Sequence, residues 1–409
     1  MWKEIKEISE ITCLLCSSKL TEIIDLGMHP FADSYIPLEM ENFSEPVYPL
    51  KCGLCNVCGY IQNIHITSAD DRYNLYPYSY ESSNSSIANA HWDEFVSSLK
   101  MRHMLKNKKV LEIGSNDGTL LGRFTPDSSS AIGIDSSKEM CEIARSNGVD
   151  CINALFTNET AHMVQKEYGT FDFIIANNVF NHANSPVDFL QGCVSLLNAS
   201  GKLIIQVPYW ISSLQSFKFD QIYHEHISYF TFRSLNYLAT IFGLDITHFE
   251  LVDYHGGSIR VEFSKKEMGL RIFDAQKVIE WEAKSRAFDI SFYSTFMNEI
   301  KTRRSKFLQH LHELISDNPD IKIVLVGAAA KANTFINFYK LDSTIVSFIT
   351  DASKLKIGKK TPLSRIPIKD DSALKNIGKV HAIITSWNLA ASIKKKIYMI
   401  NPDIEYMEL

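Results

Sequence analysis

The sequence has no apolar run long enough to cross a membrane. The longest, Ile323 to Val326 with the alanines that follow, falls far short of the roughly 20 residues a spanning helix needs. Its first residues, Met1-Trp2-Lys3-Glu4-Ile5-Lys6, lack an apolar core with a small-residue cleavage site, so no signal peptide is expected. It has no excess of positive charge: 42 Lys and Arg stand against 47 Asp and Glu, a net charge of -5. The basic clusters (Arg303-Arg304, Lys359-Lys360, Lys394 to Lys396) are short and scattered, which argues against a nucleic-acid partner. No low-complexity segment or obvious repeat stands out. With 45% hydrophobic and 22% charged residues, disorder and fibrous structure are excluded, and 409 residues predict two or three domains of a cytoplasmic protein.

What is there begins with cysteine. The chain has eight, and a reducing compartment argues against disulfides. Four fall into two pairs, Cys13-x2-Cys16 and Cys55-x2-Cys58. Each pair can turn two thiolates toward one ion, and the two pairs together complete a tetrahedral all-sulfur shell suited to structural Zn2+, with no open position for water or substrate. Cys52 breaks the two-residue spacing and is set aside. The segment 1–68 is turn-rich and poor in core, so it needs such a staple.

From residue 69 onward, short β-branched runs alternate with amphipathic helices: Val110 to Ile113, Ala131 to Ile134, Phe171 to Ile175 and Lys202 to Val207. That alternation predicts a parallel α/β sheet. Ile272 to about Ser316 has no Gly or Pro and reads as long helices. The alternation then resumes at Ile321 to Val326, Ile345 to Ile349 and His381 to Thr385, predicting a second Rossmann-like α/β domain.

Within the first sheet, Glu112-x-Gly114-Ser115-Asn116-Asp117-Gly118 follows an apolar strand and precedes a helical pattern. Its glycines permit a tight turn and close approach of the backbone to a ligand, and Glu112 or Asp117 can bind a cationic or hydroxylated group. Asp135, ending the next strand, is placed to accept hydrogen bonds from ribose hydroxyls. Asn116 replaces the glycine that would admit a pyrophosphate, so S-adenosylmethionine fits better than a dinucleotide. Asn177-Asn178 to His182 follows the next strand, where Asn178 and His182 can face cofactor or substrate. Tyr223-His224-Glu225-His226 sets a carboxylate beside two imidazoles, a general-base arrangement, with a metal site as the minor alternative. The segment Tyr78-x-Tyr80-x-Ser82-Ser83 offers sugar-binding hydroxyls or is an ordinary polar loop. His255-Gly256-Gly257-Ser258-x-Arg260 is a ligand-facing turn or a plain turn into a strand.

Taken together these motifs resemble the sugar C-methyltransferase family, three-domain enzymes that methylate nucleotide-linked 4-keto deoxysugars. The likeness runs further through Asp25-Leu26-Gly27, Pro30, Ala32-Asp33, Gly327-Ala328-x-x-Lys331, Asp351 with Lys356 and Gly358, and Trp387-Asn388. Two positions depart from the family pattern: Ala332 after Lys331, and Asn181 before His182. The resemblance implies a zinc-binding domain (1–68), an S-adenosylmethionine-binding class I methyltransferase domain (69–290) and a nucleotide-sugar-binding Rossmann-like domain (291–409). It implies C-methylation, at C3, by removal of the proton next to the C4 ketone. His226, helped by Glu225, matches the family's base, and Tyr78, His182 and Tyr223 match residues around the sugar. Tyr80, Ser82, His224, His255, Arg260, Lys331, Asp351 and Trp387 are then expected to contact substrate. A sugar O-methyltransferase and a zinc-ribbon RNA methyltransferase are the rival readings.

Overall fold

The apolar runs read from the sequence become the strands of three larger sheets and one short ribbon. The computed structural model describes residues 11–40, 42, 44–74, 86–266, 274–375 and 377–407. The predicted Tyr78, Tyr80 and Ser82 lie outside the described residues.

The N-terminal sheet has the order β1 (Leu20–His29), β3 (Tyr48–Cys55), β4 (Ile61–Asn63) and β10 (Ser228–Tyr229). Its edge strand β10 thus comes from far along the chain, antiparallel to β4. β2 (Ile36–Pro37) pairs with β15 (Lys359–Lys360), so the N-terminal segment also touches the C-terminal one.

The central sheet runs β11 (Leu244–Val252), β12 (Ser258–Lys265), β9 (Leu197–Pro208), β8 (Phe171–Asn177), β5 (Lys109–Ile113), β6 (Ser130–Asp135) and β7 (Asp150–Asn153). β9 through β7 are parallel, and β12 is antiparallel to both of its neighbours. Helices cover the parallel strands, so strands such as β5 and β8 are buried almost throughout and need near-continuous apolar sequence. Ser137, Thr157 and Ser185 cap the helices Lys138–Ser146, Asn158–Tyr168 and Pro186–Leu196, each side chain accepting a backbone N–H of the first turn.

The helices Ala275–Ala283 and Ile290–Asp317 occupy the stretch without breakers and lead to the third sheet. Its order is β16 (Ile368–Lys369), β14 (Val346–Thr350), β13 (Lys322–Val326), β17 (Val380–Ile384) and β18 (Glu405–Tyr406), all parallel. In both α/β sheets the strand order reverses, at β5/β8 and at β13/β17, and the crevice beyond the carboxyl ends of such strands is where ligands bind. Among the described residues no helix is long and apolar enough to cross a membrane.

Candidate functional site

The sulfur atoms of Cys13, Cys16, Cys55 and Cys58 all lie within 4.8 Å of one another. Cys13 and Cys58 are 3.5 Å apart, Cys16 and Cys55 3.4 Å, and Cys16 and Cys58 3.7 Å. A tetrahedral ion with Zn–S bonds of about 2.3 Å sets its ligands about 3.8 Å apart, so the four thiols fit structural zinc. Two local turns prepare them. The N–H of Ser17 closes on the carbonyl of Cys13 and that of Gly59 on Cys55, with positive φ at Ser17 and Gly59. Cys52 points elsewhere, its thiol 3.6 Å from Oδ1 of Asn63.

A cavity of about 490 Å³ spans the carboxyl ends of both α/β sheets. At its central-sheet end it is lined by Gly114, Asn116, Asp135, Asn177 and Asn178. Gly114 has φ +72°, and a Cβ there would stand 2.8 Å from the Cβ of Val179, so only glycine lets the loop pass. The Asp135 carboxylate accepts from the backbone N–H of Asn116 and Ser137, both at 2.8 Å, which fixes it at the cavity wall. Glu112, Asp117 and Gly118, expected at the ligand, instead lie beneath the loop and do not line the cavity. Burial, with Asp117 and Asp135 adding to it, pushes the Glu112 carboxyl well up. Asp117 accepts from Thr119 N–H, and Gly118 packs against Val149. The carboxylate of Asp135, both amide atoms of Asn177 and the unpaired amide oxygen of Asn178 fit the hydroxyls and charged head of S-adenosylmethionine.

His226, Tyr223, Glu225 and His182 line the middle of the cavity. The turn closed by His226 N–H on the Tyr223 carbonyl brings Tyr223 and His226 side by side, three residues apart, and sends His224 and Glu225 elsewhere. The Tyr223 hydroxyl is 2.5 Å from Nε2 of His226, and Nδ1 is 2.8 Å from the Gln221 carbonyl oxygen. Because that carbonyl can only accept, Nδ1 carries the proton and Nε2 the lone pair. Burial holds the imidazole down to about 3, so the ring is neutral at pH 7. His182 meets it edge-on with centroids 5.0 Å apart.

Glu225 is not the partner of that ring. One carboxylate oxygen accepts from Asp33 N–H at 3.1 Å, and burial together with the Asp33 charge pushes its carboxyl up to about 7. His224 lies outside the cavity, packed against Phe31 and Tyr48. Arg260 is also outside it, held by Gln206 and Glu250 over the ring of Phe95.

At the C-terminal end the lining includes His255, Lys331, Asp351 and Lys356. Lys331 bonds Asn388 and sits 4.1 Å over the ring of Trp387, and burial lowers its ammonium to about 8. Trp387 does not line this cavity; its Nε1 donates to Asp220 at 2.6 Å, backing Lys331 from behind.

Two positioning groups escaped the sequence reading. Asn63, on β4, donates to the carbonyls of Tyr223 and His226 at 3.1 and 2.9 Å and so ties the zinc-binding unit to the Tyr223–His226 turn. Gln221 fixes the His226 tautomer through its backbone. No spacing rule reveals contacts between residues 160 apart, and a backbone carbonyl carries no residue-type signal.

Comparison with known proteins follows the same three parts. Family models match at residues 13–73 (zinc binding domain), 89–249 (methyltransferase domain) and 253–402 (C-methyltransferase C-terminal domain). The chain is 26% identical over 386 residues to the C-methyltransferase NovU of Streptomyces niveus, covering 93% of this chain and 90% of that protein. It is 36% identical over 106 residues to the uncharacterized protein MJ1123 of Methanocaldococcus jannaschii, covering 26% of this chain and 47% of that one. Among solved structures, the magnesium protoporphyrin IX methyltransferase ChlM of Synechocystis PCC 6803 with bound SAH aligns at 16% identity and a TM-score of 0.35, over 43% of this chain and 82% of that one. With a zinc-fitting cluster of four cysteines, a methyltransferase sheet and a matching C-terminal domain in one order, the chain is an S-adenosylmethionine-dependent methyltransferase whose three parts are similar to those of a C-methyltransferase.

Proposed function

We propose that the protein C-methylates a nucleotide-linked 4-keto deoxysugar at C3, the carbon next to the ketone. The observation that carries this reading is the neutral His226, its lone pair on Nε2, in a cavity whose one end is the Gly114–Asp135 loop and whose other end carries Lys331 and Lys356. S-adenosylmethionine, when bound, supplies the electrophilic methyl group.

The ketone acidifies the neighbouring C–H, and Nε2 of His226 takes that proton. In the resting site Nε2 accepts from the Tyr223 hydroxyl. As the ketone enters, that hydroxyl turns its hydrogen bond to the carbonyl oxygen, which frees Nε2 and stabilises the enolate oxygen as charge develops. The Gln221 carbonyl holds Nδ1–H throughout and stabilises the imidazolium once it forms. His182 packs against the ring and keeps it in place. Lys331 and Lys356, beyond the carboxyl end of β13, supply positive charge for the diphosphate. Asp351 and His255 line the same end and are available to sugar or nucleotide hydroxyls. A positioned base contributes roughly 10² to 10⁴ in rate, with orientation and oxyanion stabilisation adding to it.

The test is to incubate the protein with S-adenosylmethionine and a panel of nucleotide 4-keto sugars and follow the mass gain of one methylene. A carbon-bound methyl by NMR is the expected result. Methylation of a 4-hydroxy sugar on oxygen would replace this reading with the O-methyltransferase one.

A further inference from the structure

Two side chains of the C-terminal α/β sheet and its helices grip the segment that carries Gln221, whose carbonyl fixes the tautomer of His226. Trp387, in the turn after β17, donates its indole Nε1 to the buried carboxylate of Asp220 at 2.6 Å. Thr334, on the helix Ala330–Tyr339 after β13, donates its hydroxyl to the carbonyl of Ile222 at 2.9 Å. One bond thus falls just before Gln221 and the other just after it. Alongside them, Phe219 packs on Phe338 and Tyr339 of the same helix, with ring centroids 4.8 and 6.1 Å apart.

Trp387 has little room to shift. Gly256 lies against its ring, where a Cβ would stand 2.2 Å from the indole. The Lys218 ammonium sits 4.5 Å over the same ring and donates to the Gly256 carbonyl at 2.7 Å. The Gln221 side chain in turn donates to the carbonyl of His255 at 2.9 Å. The Gln221 carbonyl belongs to the planar peptide that joins it to Ile222, so its direction is set once the chain is held on both sides. Its bond to Nδ1 of His226 weakens steeply with misalignment. Neither Trp387 nor Thr334 lines the cavity, so any part they take in the reaction is indirect.

We infer that Trp387 and Thr334 are positioning residues for the base: gripping the chain on either side of Gln221, they let the C-terminal sheet hold His226 in register with the cavity. The inference rests on the reading of His226 as the base. It gives the C-terminal sheet a part in the proton transfer beyond the nucleotide-sugar binding proposed above, and it replaces the expectation that Trp387 contacts substrate.

The experiment follows exchange of the sugar's α-proton with heavy water by NMR. It uses the full chain and whichever dTDP-, GDP-, UDP- or CDP-linked 4-keto deoxysugar the wild type exchanges fastest. Trp387→Phe keeps a ring but loses the indole N–H, and Thr334→Val keeps the shape but loses the hydroxyl. Each should slow exchange at saturating sugar about fivefold or more, with KM within about threefold of wild type and S-adenosylhomocysteine binding by calorimetry unchanged. Asp220→Asn, which keeps an acceptor for the indole, should exchange faster than Asp220→Ala. A raised KM with exchange at saturation unchanged would overturn the inference in favour of substrate contact. Weakened S-adenosylhomocysteine binding alongside slower exchange would overturn it in favour of a general structural role. Exchange at the wild-type rate in both variants would overturn it and leave His226 as the base. A wild type that exchanges none of these sugars, or a His226→Ala chain that exchanges as fast, would overturn the reading of His226 as the base, and this inference with it.

Discussion

The hydroxyl of Tyr223 stands 2.5 Å from Nε2 of His226, while the Gln221 carbonyl holds Nδ1 of the same ring at 2.8 Å. The proposed base is thus fixed in one tautomer and covered by a phenol that would have to move for it to act. His226→Ala should abolish both methylation and exchange of the substrate's α-proton with heavy water, while S-adenosylhomocysteine still binds. Tyr223→Phe should keep some exchange but lower kcat by about 10² or more, because the enolate oxygen loses its donor. NMR of the exchanging proton and single-turnover kinetics check both. Near wild-type methylation by His226→Ala would move the search to His182.

Zinc removal should reach the Tyr223–His226 turn, because β4 carries Asn63 and Asn63 holds the carbonyls of Tyr223 and His226. A strong chelator, or Cys55→Ser, should lower the melting temperature and abolish activity together. Cys52→Ser should retain a full equivalent of zinc, since its thiol faces Asn63 rather than the cluster. Elemental analysis of each variant, alongside melting curves, separates these outcomes.

Asp135→Ala should weaken S-adenosylhomocysteine by about tenfold or more, because a carboxylate held by two backbone N–H groups at 2.8 Å is lost from the cavity wall. The same titration with NAD should show no binding, since Asn116 stands where a pyrophosphate-binding loop carries glycine. Tight NAD binding would reverse the assignment of this loop.

Away from the cavity, Glu262 gathers His103 at 2.8 Å, Thr247 at 2.9 Å and Lys202 at 3.6 Å. Burial pushes its carboxyl up, but these partners outweigh burial and hold it at about 2, against 4.5 when unfolded. Between those values the unfolded chain binds the extra proton, so stability rises with pH there. The contribution is complete above about pH 4.5 and is lost as the pH falls toward about 2. Urea unfolding of wild type and Glu262→Gln should therefore differ at pH 7 by about 2–3 kcal/mol more than at about pH 2. A difference independent of pH would show that this carboxylate is not held down.

Much of this was legible in the chain itself, and the reason is local. A Cys-x-x-Cys pair closes on itself through backbone turns, so Cys13, Cys16, Cys55 and Cys58 could be read from spacing. Strands buried on both faces require continuous apolar runs, so β5, β8, β9 and β13 showed in the sequence. The glycine loop and Asp135 could be read because a strand, a turn and a helix in succession fix their own geometry. In the Tyr223–His226 turn the residue types were informative, but which side chains share a face was not: a turn pairs the first with the fourth, so Glu225 parts from His226 and meets Asp33.

The sequence by itself thus determined the zinc ligands, the two α/β sheets and the set of groups from which a base could be drawn, because each depends on neighbours a few residues apart. Only the tertiary structure decided which of those groups meet. It brought Asn63 to the Tyr223–His226 turn, set Lys331 against Trp387 and Asn388, and withdrew His224 and Arg260 from the cavity. Those outcomes depend on how three sheets pack and on which buried polar groups find partners across long stretches of chain, and no local pattern encodes them.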